Sequence, residues 1–279
     1  MNEAPVNRLG VLGWPVSHSL SPRMHNAALR ELGLLGLWNY QHLPVPEPLF
    51  VETVTALADL NFAGVNVTIP HKAAALTAAR RSGAQISHRA AAIGAANTLV
   101  FSKDGWIDAH NTDAPGLISE LGKHGQVRGA SAMVLGAGGS ARAAVWALLD
   151  AGAARVQVWN RTRERAVCLC RELGGEPSEV VSSASILVNC TAVGLAPGDT
   201  LASLPLPVGG LAEFGLVADF SYRADGAVLT LAAREAGVPT VDGLELLVAQ
   251  GAASFELFVG VEAPVTAMRR AVGLSCATQ

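Results

Sequence analysis

Ser131-Ala-Met-Val-Leu135-Gly136-Ala137-Gly138-Gly139-Ser140-Ala141 decides the fold. Ser131 to Leu135 is a short apolar run of strand length, and it leads directly into a glycine-rich turn. The turn reads Gly-x-Gly-x-x-Ala and opens a helix that begins near Ser140. Val145, Leu148 and Leu149 follow helical spacing, and Gly152 supplies a stop. Gly136 permits the tight turn. Gly138 lets the backbone approach a pyrophosphate, and Ala141 allows close helix–strand packing. The helix N-terminus offers unsatisfied N–H groups and a favourable dipole to phosphates. A bare βα turn needs no ligand, but this strand–turn–helix context favours a dinucleotide.

The next strand sharpens that reading. Val156-Gln-Val-Trp159 ends in Asn160-Arg161-Thr162-Arg163-Glu164-Arg165. A site for NAD usually places an acidic side chain at this strand tip to bind ribose hydroxyls. Here the tip carries no acid, and arginines stand ready to bond a 2′-phosphate. They lie at a helix N-terminus, against the dipole, which also favours a nearby anion. Thr162 as a plain cap with solvated arginines is the simpler alternative. NADP is favoured over NAD.

Outward from this unit, short apolar runs alternate with helical stretches. Strands are expected at Leu9–Leu12, Gly64–Ile69, Thr98–Phe101, Val156–Trp159, Ile186–Asn189 and Leu216–Phe220. Such alternation predicts an α/β architecture with largely parallel sheets. A first helix is expected with Ser21 as cap, Pro22 in its first turn and Gly33 at its end; a late helix is expected over 244–258. The chain of 279 residues is long enough for two cores. The expected division is 1–113, then a Rossmann-type nucleotide domain over 114–242, then a helical segment over 243–279 that returns to the first domain.

Composition removes several classes. Half the residues are apolar and 5% aromatic, and much of the apolar share is alanine. No apolar run reaches the length of a membrane span. The first residues lack a basic start followed by an apolar stretch, so no secretory signal is expected. A net charge of −3 with scattered signs gives no case for nucleic acid. The cysteines, Cys168, Cys170, Cys190 and Cys276, form no metal-binding spacing, so a reduced, cytoplasmic, metal-free protein is expected.

Four further stretches carry polar groups suited to chemistry. In Gly64-Val-Asn66-Val-Thr68-Ile69-Pro70-His71-Lys72, alternation puts Val65, Val67 and Ile69 on one face and Asn66 and Thr68 on the other. Pro70 is suited to opening a helix with Lys72 in its first turn, where the dipole disfavours a cation; such a lysine suits proton transfer. Asn111-Thr112-Asp113-Ala114-Pro115, taken alone, reads first as a helix cap with a proline following it. Gly94-Ala-Ala-Asn97-Thr98 reads as a turn into a strand. In Ser17-His18-Ser19-Leu20-Ser21-Pro22, the cap explains Ser21 but leaves Ser19 without a structural role.

Together these segments resemble the NADP-dependent shikimate dehydrogenase family, collinearly and over nearly the whole chain. The likeness rests on Ser19-Leu-Ser21-Pro-Arg-Met-His25-Asn26, Asn66-Val-Thr68-Ile-Pro-His-Lys72, Gly94-Ala-Ala-Asn97-Thr98 and Asn111-Thr-Asp113. It continues through the glycine turn, Asn160-Arg161-Thr162, Asn189-Cys-Thr191-Ala-Val-Gly194 and Gly243-Leu-Glu-Leu-Leu-Val-Ala-Gln250. The resemblance implies reduction of 3-dehydroshikimate to shikimate in aromatic amino-acid biosynthesis, with Lys72 and Asp113 at the reacting oxygen. It implies that Ser19 and Ser21 hold the substrate carboxylate, and that Thr68, Asn97, Tyr222 and Gln250 complete the substrate site. Gly136, Ala137, Gly138, Gly139 and Ser140 would cradle the NADP(H) pyrophosphate. Asn160, Arg161, Thr162 and Arg165 would lie near the adenosine phosphate, and Phe220 and Gly243 beside the nicotinamide. A small molecule is then the partner, and a homodimer is compatible with the resemblance. Two positions depart from the family pattern: Tyr222 is followed by Arg-Ala-Asp-Gly-Ala, and Leu246 stands where methionine is common. Two alternatives stay open: a broader quinate/shikimate dehydrogenase, and a non-catalytic regulatory protein that keeps the fold.

Overall fold

The computed structural model describes residues 6–83, 85–102, 106–196, 198–223 and 226–275. Cys276, the first five residues, and Ala224 and Asp225 of the segment after Tyr222 lie outside them. The chain divides into two compact units. One comprises the residues up to Thr112 together with those from Gln250 onward; the other runs from Asp113 to Ala249.

The first unit contains β1 (Asn7–Gly13), α1 (Ser21–Glu31), β2 (Trp38–Pro44), α2 (Phe50–Asp59), β3 (Phe62–Val67), α3 (Lys72–Arg81), α4 (His88–Ile93), β4 (Thr98–Phe101) and β5 (Ile107–His110). Its sheet has the order β2-β1-β3-β4-β5. The first three strands are parallel, and β4 and β5 turn antiparallel. Alternation along the strands separates two buried layers. Leu12, Val65 and Val67 face Phe50, Val54, Leu76 and Leu99, whereas Leu9 and Val11 share a layer with Val16, Tyr40 and Phe258.

The second unit contains α5 (Asp113–Gly122), β6 (Ser131–Leu135), α6 (Gly139–Asp150), β7 (Arg155–Trp159), α7 (Arg163–Leu173), β8 (Glu176–Ser178), β9 (Ala184–Asn189), β10 (Phe214–Asp219), α8 (Val228–Glu235) and β11 (Thr240–Val241). All its pairings are parallel, in the order β11-β10-β9-β6-β7-β8. This is the doubly wound arrangement. β6 pairs with β7 on one side and β9 on the other, so the winding reverses there, and ligands bind such sheets beyond the carboxyl ends of the strands at that reversal. Both faces of β6 are covered: Val134 packs with Val145, Leu148 and Val188, and Met133 with Leu187, Val217 and Leu229. Burial on both faces makes this strand a continuous apolar run in the sequence.

The division passes through α9 (Gly243–Val259), and α10 (Val265–Ala271) follows it. The end of α9 packs on the first sheet through Phe258, beside Leu9, Val11 and Tyr40, and α10 lies against α1. A side chain on Gly64 of β3 would collide with the Phe258 ring of α9, so glycine is required there for the ring to lie against the strand.

The α/β expectation holds, with corrections in detail. The first sheet is mixed rather than parallel. β3 stops at Val67, leaving Ile69 half exposed beyond the strand. Pro70 sits in the preceding turn, and α3 opens on Lys72 itself. Ser21 is the first residue of α1 rather than its cap, a position taken by Leu20 without a side-chain bond. Gly33, Gly152 and the extent of α9 follow the expectation: both glycines have positive φ after their helices.

Candidate active site

The polar groups of the first unit form one hydrogen-bonded cluster. Asn97, at the entrance to β4, is 2% exposed. Its Oδ1 accepts from the Thr112 backbone N–H at 2.8 Å, and its Nδ2 donates to Thr112 Oγ1 at 2.9 Å and Gln250 Oε1 at 3.3 Å. Asn111 Nδ2 donates to the Ala95 carbonyl at 3.0 Å. The 94–98 turn therefore holds the segment that leads into Asp113. The same turn holds the lysine end of the site, because Ala96 N–H donates to the Lys72 carbonyl at 2.9 Å. Lys72 is the first residue of α3 and is 9% exposed; Asp113 is the first residue of α5 and is 5% exposed. The 94–98 turn thus ties down the backbone at Lys72 and at Thr112, the residue before Asp113.

A second buried layer lies behind this cluster. Asn66 Nδ2 donates to the Asn97 carbonyl at 3.3 Å and to Thr98 Oγ1 at 3.2 Å. Asn66 Oδ1 accepts from Tyr40 Oη at 2.8 Å and from Ser254 Oγ at 3.4 Å. The His25 ring stacks on Tyr40 with centroids 4.2 Å apart and planes within 7°. Both His25 nitrogens are buried without a hydrogen-bond partner, and burial pushes its pKa down to about 3, so the ring is neutral.

Ser19 and Ser21 lie together at the start of α1. Ser19 Oγ is 3.2 Å from Ser21 Oγ and accepts from the Ser21 backbone N–H at 3.3 Å. Ser19 thus has a structural role that its sequence context left unassigned. Thr68 follows β3, and its N–H donates to the Leu12 carbonyl at 2.9 Å. Ser19, Ser21, Thr68, Lys72, Asn97 and Gln250 belong to the first unit, and Asp113 and Tyr222 to the second. A groove of about 470 Å³ between α1 and α10, bordered by Arg23, Arg30 and Arg270, contains none of them.

In the second unit the glycine turn has the geometry a dinucleotide requires. Gly136 has φ of +106°, and a Cβ there would lie 3.0 Å from the Cys190 carbonyl oxygen. Gly138 precedes α6 in extended conformation, and a Cβ there would meet nothing within 4 Å, which leaves open space over the helix N-terminus. Ala141 is fully buried beneath the turn. Ala137, Gly139 and Ser140 are half buried around it. At the tip of β7, Asn160 Nδ2 donates to the Thr162 carbonyl at 2.8 Å, and Thr162 occupies the cap position of α7 without a side-chain bond. Arg163 pairs with Glu179 at 3.0 Å. Arg161 and Arg165 are exposed and, among the described residues, form no ion pair. Open space at the helix start, with the Arg161 and Arg165 guanidinium groups exposed beyond the neighbouring strand, fits a phosphorylated dinucleotide. Phe220 follows β10. Gly243 opens α9 where a Cβ would strike the Ser221 carbonyl, so close packing alone already requires glycine there.

Comparison with known proteins accounts for both halves. Residues 11–99 match the shikimate dehydrogenase substrate binding domain, 120–193 the shikimate/quinate 5-dehydrogenase model, and 243–272 the shikimate 5′-dehydrogenase C-terminal domain. A shikimate dehydrogenase (NADP(+)) from Methanopyrus kandleri is 38% identical over 97% of this chain and 96% of its own length. The chain belongs to the shikimate dehydrogenase family. Another member, from Paramagnetospirillum magneticum, is 40% identical over 95% of this chain and 97% of its own length. Among solved structures, shikimate 5-dehydrogenase from Thermus thermophilus in complex with NADP(H) and shikimate superposes with a TM-score of 0.83. It is 36% identical and covers 96% of this chain and 98% of its own.

Sequence reasoning gave no role to Tyr40, Thr112, Ser254, Asp219 or Ser221. The signal was weak: Asp219 and Ser254 each stand beside a buried apolar residue, Ala218 and Phe255, but Tyr40 lies between Asn39 and Gln41 and Thr112 between Asn111 and Asp113. Several of their partners lie far off in sequence, as with Ser254 and Asn66 or Asp219 and Asn189.

Proposed function

We propose that this chain is an NADP-dependent shikimate dehydrogenase that reversibly reduces 3-dehydroshikimate to shikimate. The reading is carried by one observation: full-length identity to enzymes of that name extends over both the buried polar cluster and the glycine turn with its free arginines. NADPH, when bound, supplies the hydride. Lys72 gives a proton to the oxygen of the ketone as it becomes an alkoxide, and takes it back in the reverse direction. Asp113 orients the neighbouring hydroxyls and balances the lysine's charge. Ser19 and Ser21 hold the carboxylate, and Thr68, Asn97, Tyr222 and Gln250 bind the remaining polar groups. Multiple neutral hydrogen bonds suit a polyhydroxylated acid because each is lost if a hydroxyl is absent.

On the cofactor side, the backbone from Gly136 to Ser140 holds the pyrophosphate. Asn160, Arg161, Thr162 and Arg165 hold the 2′-phosphate, and Phe220 and Gly243 border the nicotinamide ring. Its partners are these small molecules: the charge pattern supplies no nucleic-acid surface, and no helix among the described residues is long and apolar enough to cross a membrane. A cytoplasmic location fits the cysteine usage, a homodimer is compatible with the family resemblance, and sedimentation at working concentration tests the dimer.

The deciding experiment is initial rates with shikimate and quinate, each with NADP⁺ and NAD⁺. Preference for shikimate with NADP⁺ is expected. Comparable quinate rates would replace this reading with a broader dehydrogenase, and binding without turnover would make the chain a sensor.

A further inference from the structure

Asp219 ends β10 in the second unit, fully buried and outside the roles assigned above. Its Oδ1 accepts from Asn189 Nδ2 at 2.9 Å, from the Ser221 N–H at 2.9 Å and from Ser221 Oγ at 2.6 Å. Its Oδ2 is buried with no partner. Asn189 ends β9, next in the sheet. Asn189 Oδ1 accepts from Thr191 N–H at 3.0 Å and Thr191 Oγ1 at 2.7 Å, and its Nδ2 also reaches the Val193 carbonyl at 3.3 Å. Ser221 Oγ lies 3.3 Å from that same carbonyl. Gly194 has φ of +102°, and a Cβ there would come within 2.6 Å of Ser221 Oγ. One carboxylate oxygen therefore ties together the two segments that leave the sheet here, 190–194 and 220–222.

We propose that Asp219 is a positioning residue of the cofactor site: through Asn189 and Ser221 it fixes the 190–194 turn against the Phe220–Tyr222 segment, so that NADP binds a preformed surface. The proposal rests on the NADP reading, because these segments leave the carboxyl ends of β9 and β10, beside the reversal where such sheets bind ligands. Rigid pre-formation matters because an unfixed turn must be ordered at the expense of binding. A structural brace alone has no need of an ionisable group with a bare second oxygen, since an asparagine keeps the Oδ1 acceptor.

The charge gives the proposal its particular readout. Burial raises the Asp219 pKa to about 7, opposed by the bonds from Ser221 and Asn189. The charged groups on neighbouring elements are Asp242 and Glu245 at the start of α9, Arg234 of α8 paired with Asp242, and Asp199 and Arg223 around the turn; the Cys190 thiol is also titratable. Of these, Asp242 acts on Asp219, and it too opposes ionisation. As pH rises through 7 the carboxyl ionises, and its three accepted bonds become charge-assisted and stronger. The turn is then held more firmly.

The test is titration of NADP⁺ into the full chain from pH 6 to 8, beside Asp219→Asn and Ser221→Ala. For the unsubstituted chain the NADP⁺ dissociation constant, corrected for the nucleotide's own titration, should fall about threefold over that range, the scale of one strengthened hydrogen bond. Asp219→Asn should bind about threefold to tenfold more weakly at pH 8 and lose that slope. Ser221→Ala removes one bond, should weaken binding about threefold at pH 8, and should move the pH dependence to higher pH, because that bond opposes the rise in the Asp219 pKa; it serves if Asp219→Asn does not fold. Shikimate affinity, measured without nucleotide, should stay within about twofold in both. An unchanged slope in Asp219→Asn, or a flat profile in the unsubstituted chain, overturns the proposal while leaving the NADP reading intact. No NADP⁺ binding by the unsubstituted chain removes both.

Discussion

The polar cluster of the first unit and the glycine turn of the second, the two surfaces proposed to bind substrate and cofactor, are built in opposite ways. The cluster is built of side chains holding side chains. Asn97, Thr98, Thr112, Asn66 and Tyr40 are buried and bond across 14 to 32 residues of sequence. The turn is built of backbone. Its geometry comes from a positive-φ glycine and a helix start, and its cations stand free in solvent. Binding and folding are therefore coupled in the first and nearly separate in the second. A polar group lost from the cluster leaves its partner buried and unsatisfied. A cation lost from the strand tip leaves nothing unpaired.

Four changes test that contrast. Lys72→Ala should lower turnover by about a hundredfold to ten-thousandfold, with the shikimate KM within a few-fold, because a proton-transfer group acts in the transition state. Steady-state kinetics decide it, and near-normal turnover would remove the role assigned to Lys72. Asn97→Ala should cost about 2–3 kcal/mol of folding stability, since it leaves the buried Thr112 N–H without its acceptor. Urea denaturation measures this, and a loss below about half a kcal/mol would show that the cluster is not coupled to folding.

His25 extends the comparison to pH. Its folded pKa of about 3 lies below its unfolded value of 6.5, so between those values the unfolded chain binds a proton that the folded chain refuses. Stability is then lost as pH falls below 6.5, by about 2 kcal/mol at pH 5. His25→Phe, whatever its stability at neutral pH, should flatten that acid limb in a plot of Tm against pH. An unaltered limb would mean that His25 titrates freely. The smallest effect is expected at the strand tip. Arg161→Ala should weaken NADP⁺ binding about tenfold, leave NAD⁺ binding unchanged, and move Tm by no more than about a degree, because the side chain is solvated in the free protein. Equal losses for the two nucleotides would place Arg161 away from the 2′-phosphate.

The same division governs what could be read before the fold was known. β6, the Gly136 turn and the start of α6 were legible because each is a local device: an apolar run, a φ only glycine adopts freely, and a helix opening close behind them in the chain. Gly33, Gly152 and α9 were legible for the same reason. β2, β5, β8 and β11 were not. Trp38-Asn-Tyr-Gln-His-Leu-Pro44 shows no clean alternation, Ile107–His110 spans only a few residues, Glu176-Pro-Ser178 is a polar edge, and β11 is a pair of residues. These strands exist because neighbours pair with them. The end of β3 at Val67 depended likewise on its pairing with Leu12 of β1.

By itself, then, the sequence determined the α/β class, the nucleotide turn and its arginines, and the residue types available at Lys72, Asn97, Asp113 and Gln250. All of these are set by local conformation or by chemistry carried in a single side chain. Only the tertiary structure decided that Asn97 joins Thr112 to Gln250 and that Asn66 stands behind it. It alone decided that His25 is neutral, and that Asp219 closes on Asn189 and Ser221. Those facts depend on burial and on partners distant in the chain. A buried polar group is defined by what surrounds it, and no stretch of sequence contains its own surroundings.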